Sequence, residues 1–282
     1  MNTTINVDGV YNAGKFHVHG PAAFGTGARV IGSESTRDPA PPAPATAGVI
    51  TVLPVETAAV RETLGLAPDD DGFYTGEPLG TVVCVQAHEQ GQGGAMNAAR
   101  RLTERVTPNI LILCGIGGGI PTDLRLGDVV VATRVVGYDL GKETPDGRQL
   151  RGRAWESPAV TGRAVDRYFA DRGVPAPFPG FAALPGIVGS GNTVIADEQA
   201  AIRTSLPEFN DKIIVFDMES DGLGQFCHDA GGLNWLTVRG ISDHADRTKN
   251  DDSHEQAAAH AAAVLLDLLH CLPKESPHGV RR

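Results

Sequence analysis

Two stretches of this chain put acids at the ends of apolar runs. The segment Val215–Asp243 reads VFDMESDGLGQFCHDAGGLNWLTVRGISD: IIVF runs into Asp217, Met218 and Glu219, and LTV runs into Arg239 and then Ser242 and Asp243. Glu56 similarly follows the run GVITVLP. A charge at the end of a buried strand must be paired or must face a polar cleft, because burying an unpaired charge is strongly unfavourable. These positions therefore read as a site. Carboxylates in different environments can divide acid and base work, one delivering a proton while another activates water, and each positioned transfer is worth roughly 10²–10⁴ in rate. Two plainer readings compete with this one. Glu56 could be a helix-start acid favoured by the helix dipole, and Glu219 and Asp243 could simply ion-pair with Arg239.

The elements that would position these groups alternate. GVITVLP, a helix over TAAVRETLG, TVVCVQA, a helix from Gly94 to Glu104, NILILCGI and DVVVATRVV follow one another after residue 48. Strands are predicted at Phe181–Gly189, Lys212–Phe216 and Trp235–Ile241, with a helix over Ser220–Ala230 between the last two. A C-terminal helix starts at Ser253, with Gln256 in capping-box spacing. Apolar, β-branched runs separated by helical patterns predict an α/β fold: a single layered domain with a mostly parallel, mixed central sheet flanked by helices. The run Gly115-Ile-Gly-Gly-Gly-Ile follows a strand, where glycines let backbone N–H groups approach a phosphate or ribose, although a tight turn explains it equally well. It is not a dinucleotide fingerprint, since Ile120 stands at the third glycine position and another strand follows.

Residues 38–48, DPAPPAPATAG, read as an extended Pro/Ala linker. The expected organisation is an N-terminal extension (1–37) with short β-like stretches, that linker, a domain over 49–272 and a tail over 273–282. The extension is too short for its own core and is a candidate for docking on a protein partner. His17 and His19 would share a strand face, but no third metal ligand accompanies them. Cys84, Cys114, Cys227 and Cys271 are scattered without CxxC spacing and read as reduced packing residues. Neither a metal nor an organic cofactor is expected. Twenty-four Lys+Arg against 34 Asp+Glu give a net charge of −10 without a basic stripe, which argues against nucleic acid as a partner. The absence of a signal-like N-terminus and of a long apolar run argues for a cytoplasmic protein and against a membrane partner.

Taken together, GVITVLPVETAAV, GQGGAMNAARRL, ILILCGIGGGIPTDLRLGDVVVA, GSGNTVI, VFDMES and VRGISDHAD occur in the order and spacing of the nucleoside phosphorylase/nucleosidase superfamily. The resemblance is closest to methylthioadenosine/S-adenosylhomocysteine nucleosidases and covers about residues 48–272. It implies hydrolysis of the N-glycosidic bond of a purine nucleoside or nucleotide, with adenine favoured. By the same resemblance Glu56 activates the attacking water, Glu219 holds the ribose hydroxyls with Met218 beside the sugar, and Asp243, preceded by Ser242, protonates the purine at N7. Arg239 would lie near the water or phosphate site, and Gly117 and Gly118 would line the substrate cleft. A homo-oligomer, a dimer or higher, is implied as well.

Two positions depart from the pattern. Ile116 stands where relatives carry a serine that holds phosphate or water, which argues against the rival activity, phosphate-dependent phosphorolysis. Val194 stands where the nearest branch carries an aromatic that stacks on the base. The extension and linker raise another alternative, a nucleotide-sensing or nucleotide-depleting effector. Of the polar neighbours Asp217, Asp221, His228 and His244, only His244 is retained as a further candidate.

Overall fold

The computed structural model describes residues 42–120, 124–145, 147–193, 202, 206, 210–244 and 251–272. Its elements begin with β1 (Ala43–Ala45), β2 (Ala47–Thr51), α1 (Pro54–Leu64), β3 (Ala67–Pro68), β4 (Phe73–Gly76), β5 (Val82–Gln86) and α2 (Gln92–Arg105). Next come β6 (Val106–Pro108), β7 (Leu111–Gly119), β8 (Val129–Ala132), β9 (Arg134–Gly137), β10 (Gly141–Thr144), β11 (Gly147–Leu150), β12 (Arg153–Glu156) and α3 (Ala159–Arg172). The chain continues through β13 (Ala176–Phe178), β14 (Phe181–Pro185), β15 (Ile187–Ser190), β16 (Ile213–Asp217), α4 (Ser220–Asp229), β17 (Trp235–Asp243) and α5 (Asp251–Leu268).

One sheet joins 13 of the described strands. Its main path is β12-β9-β15-β16-β7-β17-β8-β14-β13, and a branch through β2, β5, β4 and β3 leaves from β7. Pairing is parallel for β2 with β5 and β7, β7 with β17, β8 with β14, and β15 with β9 and β16. It is antiparallel for β17 with β8 and β16 with β7. The outer pairings, β9 with β12, β13 with β14 and β4 with β3 and β5, are antiparallel too. The sheet is the mixed one, flanked by helices, that the alternating runs predict, with its parallel ladders concentrated among β2, β5, β7 and β17 and around β15. Continuously apolar strands such as AGVIT and VVVA are buried at every residue because both faces are covered. The strand period of two sends neighbours to opposite cores. Val49 and Ile112 join Val60, Leu64 and Leu265 of α1 and α5, whereas Ile50 and Leu113 join Ala98, Leu102 and Leu223 of α2 and α4.

Three local readings change. The glycine run is not a loop: β7 continues in register through Gly119, since glycines without side chains still complete the backbone ladder. The Pro/Ala stretch is part of the domain from Ala43 onward, because Ala43, Pro44 and Ala45 pair in parallel with Val106, Thr107 and Pro108, and Ala47 and Gly48 already belong to β2. The expected strand Phe181–Gly189 divides into β14 and β15, with Gly186 between them donating its N–H to Val131 O at 3.2 Å. The extension 1–37, with His17 and His19, and the tail 273–282 lie outside the described residues. The four cysteines are free, and burial pushes the Cys84 thiol up to about 12. Among the described residues no helix is long and apolar enough to cross a membrane, and no group of three or more His, Cys, Asp or Glu is placed to hold a metal.

The pairing of β1 can be tested by where the chain is cut. A chain beginning at Gly48 loses β1 and buried Ala45 and Ala47, and its urea midpoint should fall below that of a chain beginning at Pro42, by about 2 kcal/mol or more of stability. Equal midpoints would return residues 43–47 to linker status.

Candidate active site

The site forms where β7 changes neighbours. Leu111–Leu113 pair with Gly48–Ile50 of β2, which then leaves the sheet for α1, and Gly118 and Gly119 pair instead with Phe216 and Val215 of β16. Between these pairings a crevice opens at the strand ends, the place where open α/β sheets bind ligands. It holds a cavity of about 200 Å³ whose lining includes Glu56, Ile116, Gly117, Gly118, Met218, Glu219, Ser242 and Asp243.

Glu56 sits in the first turn of α1 and is 3% exposed. Its Oε2 accepts from the backbone N–H groups of Val52 and Leu53, both at 2.8 Å, and its Oε1 accepts from Ile116 N at 2.9 Å. A carboxylate has about four acceptor positions, so these three bonds leave one unused. The helix-start reading of this residue holds, and it does not exclude the chemical one, since the bonds that satisfy the helix entrance also fix the carboxylate at the cavity's edge. They also explain one glycine. A Cβ at Gly115 would collide with Glu56 Oε1 and lie 2.8 Å from Arg239 Nη1.

Arg239 is fully buried behind the cavity wall and is not among its lining residues. Its Nε donates to Asp217 Oδ2 at 2.8 Å, Nη2 lies 2.6 Å from the same oxygen and 3.4 Å from Glu219 Oε2, and Nη1 donates to Ile116 O at 3.4 Å. The sequence places Arg239 near the water or phosphate site; in the structure its guanidinium is engaged by protein acceptors, Asp217, Glu219 and Ile116 O. Burial opposes its charge, but the fields of Asp217, Glu219 and Glu56 hold its pKa above the ordinary value. Asp217, not retained as a candidate in the sequence reading, is this cation's nearest partner and also lines the cavity; it accepts from Ser220 N at 3.1 Å and from the Ser220 hydroxyl. Asp221, set aside in the same way, is buried and accepts from Trp155 Nε1 at 2.7 Å and Arg153 Nη2 at 3.0 Å, tying α4 to β12.

Glu219 reaches the cavity from the start of α4, with Oε1 accepting from Gly91 N at 2.8 Å. Burial pushes its carboxyl above the usual range, Arg239 pulls it back and Asp217 pushes it up again. Asp243 enters from the other side. The register of β17 against β7 shifts between Ile241 and Asp243, which pair with Gly117 and Gly118, so Ser242 is the extra residue of a bulge. Bulges re-aim side chains next to sites. The Ser242 hydroxyl donates to Asp243 Oδ2 at 3.0 Å and lies 3.4 Å from Gly117 O.

The cavity thus brings together Glu56, Ile116, Gly117, Gly118, Met218, Glu219, Ser242 and Asp243 from the sequence-predicted set. Val194 lies outside the described residues, and His244 is not among the lining residues. The sequence reading missed Gln90, Tyr138, Thr193, Phe216 and His254, which also line it. Tyr138 and Phe216 carried a usable signal, since VVGYD and IVFD both end an apolar strand with an aromatic and then an acid.

The raised pKa of Glu219 has a measurable sign. Over the window between the unfolded and the higher folded pKa, the folded state holds the extra proton. Its contribution to stability is thus full below the usual glutamate range and declines as pH climbs through that window. Glu219→Gln removes this titration, so its unfolding free energy should fall less steeply with pH above that range. Denaturation at a series of pH values measures it, and parallel profiles for variant and parent would contradict the shift.

Comparison with known proteins bears on the family and the fold. The family model for the Phosphorylase superfamily matches residues 46–270. The chain is 26% identical over 255 residues to ATP nucleosidase Cap17 of Escherichia coli (strain KTE188), covering 78% of this chain and 50% of that protein, so it spans about half that relative's length. It is also 26% identical over 200 residues to the 5'-methylthioadenosine/S-adenosylhomocysteine nucleosidase of Shewanella halifaxensis, covering 70% of this chain and 85% of the relative. Among solved structures, the 5'-methylthioadenosine/S-adenosylhomocysteine nucleosidase of Neisseria meningitidis, in complex with methylthio-immucillin-A, superposes with a TM-score of 0.66 at 21% identity, over 80% of this chain and 99% of that one. That likeness is one of fold. With the family model spanning the sheet, the crevice and every acid described above, the chain belongs to the phosphorylase superfamily.

Proposed function

We propose that this domain is a purine nucleosidase, hydrolysing the N-glycosidic bond of an adenine nucleoside or nucleotide to free base and sugar. The carrying observation is that Glu56, Glu219 and Asp243, each from a different element, line one cavity. In this reading the C1'–N9 bond breaks with its electron pair passing to the purine, and Asp243 gives its proton to N7. Glu56 uses its remaining acceptor position to hold a water whose oxygen adds to C1', and takes the proton that water loses. Glu219 accepts from the ribose hydroxyls, a bond that strengthens as the sugar gains positive charge in an oxocarbenium-like transition state. Met218 supplies an apolar contact beside the sugar.

Hydrolysis is favoured over phosphorolysis because the groups that would hold phosphate are engaged. Ile116 has no side-chain donor and its N–H is given to Glu56, while Arg239 is directed at Asp217, Glu219 and Ile116 O. The similarity to an ATP nucleosidase supports a second reading, in which the substrate is a nucleotide; the effector docked through residues 1–37 is an extension of that reading that rests on the sequence alone. A cytoplasmic setting and assembly into at least a dimer complete the proposal.

Screening nucleosides and nucleotides for release of free base tests the activity, and turnover that requires inorganic phosphate would overturn hydrolysis. With a substrate in hand, Asp243→Asn should retain the fold and lower kcat by at least roughly 10². Activity within a few-fold of the parent would remove Asp243 from the mechanism. A 2'-deoxy substrate should react more slowly than its ribo counterpart, and equal rates would remove the hydroxyl contact from Glu219.

A further inference from the structure

Tyr138, immediately after β9, is only 5% exposed and lines the cavity, yet its hydroxyl has no hydrogen-bond partner among the described residues. A buried hydroxyl without a partner is unfavourable, and such groups in folded proteins call for an explanation. Its ring is fixed. A Cβ at Gly191 would lie 2.6 Å from Tyr138 Cζ, so the ring rests directly on that glycine, and it meets Phe216 edge-on with centroids 6.0 Å apart and planes at 80°. The backbone is held as well, Tyr138 N donating to Ser190 O at 3.0 Å. Ring and backbone being held, the hydroxyl has little freedom to turn elsewhere for a partner.

Register shows what it would address. Gly118 pairs with Asp243 on one side and with Phe216 on the other, so acid, glycine and aromatic form a row across the cavity, with Tyr138 beyond Phe216. Glycines at 117 and 118 present a floor without side chains, and the aromatic pair presents a wall, a surround suited to a planar heteroaromatic ring. Burial, reinforced by Asp217 and Asp139, pushes the phenol's pKa up, so it remains a neutral group able to donate or accept.

We infer that Tyr138 is a base-recognition residue whose hydroxyl bonds a ring nitrogen or exocyclic group of the bound purine. This rests on the nucleosidase reading and adds to it the group that selects the base. A site built to hydrogen-bond a ligand atom discriminates against analogues that lack the atom, and removing the protein's half of such a bond abolishes that discrimination.

The test is Tyr138→Phe in the full chain, which keeps the ring. Calorimetric titration with free adenine, which has no sugar, should show binding weakened about tenfold. The unliganded variant should melt at the same temperature as the parent or higher, because the unpartnered hydroxyl is gone. Adenine analogues each lacking one heteroatom should include one that binds parent and variant equally well, identifying the bonded position. Equal adenine affinity in both proteins would overturn the assignment, as would weakening confined to nucleosides, which would place the hydroxyl on the sugar. A lowered melting temperature would overturn it too, since that would reveal a structural partner. A parent chain that binds no purine at all would overturn the nucleosidase reading itself, and the assignment with it.

Discussion

The architecture of the crevice depends on a single buried cation. Arg239 is enclosed with Asp217 and Glu219 against it and with Glu56 close enough to add to its field. Desolvating such a group is costly, and the arrangement holds only because almost every donor has an acceptor and each acid has backbone support besides. Removing one partner of a buried pair typically costs about 3–5 kcal/mol, since the other is left charged and unpaired. Two of the acids that line the cavity, Asp217 and Glu219, are therefore held in place by a residue that does not line it.

This constraint reaches into the sheet. The side of β7 that faces Arg239 and Glu56 has no room for a side chain at Gly115, and the glycines beyond it allow β16 and β17 to approach the cavity floor from both sides. The bulge at Ser242 then brings Asp243 level with Gly118, opposite Phe216. Acid chemistry, a flat floor and an aromatic wall are three results of one strand running through the middle of the sheet with almost no side chains at its end.

Much of this was legible in the sequence, and the part that was not has a physical cause. Short β-branched apolar runs such as VVCV and ILIL, set between helical patterns, read as buried strands, so the sheet and its helices follow from the pattern, and acids ending such runs pointed to a site without excluding simple ion pairs. Distances across the fold were not legible. Nothing in the spacing says that Asp217 is paired with Arg239 while Asp243, lining the same cavity, is bonded by Ser242, because a strand's period of two sets the side of the sheet and not the partner found there. The glycine run illustrates a further limit, since residues without side chains leave no pattern to separate a strand from a loop. The Pro/Ala stretch failed differently: proline lacks a donor, but the two-stranded parallel pair of β1 with β6 can use its carbonyl and its neighbours' N–H groups.

The way the chain enters the domain has a mechanical consequence. From Ala43 it passes through the short parallel pair with β6, then along β2, and the next two residues, Val52 and Leu53, supply two of the N–H groups that grip Glu56. Tension applied before Pro42 would load β1 and β2 in shear, and the first structure to feel any slippage of β2 would be that grip. A tether at this end of the domain, at Pro42, lies 14 residues (56 minus 42) from the carboxylate of Glu56, along a single continuous stretch of backbone.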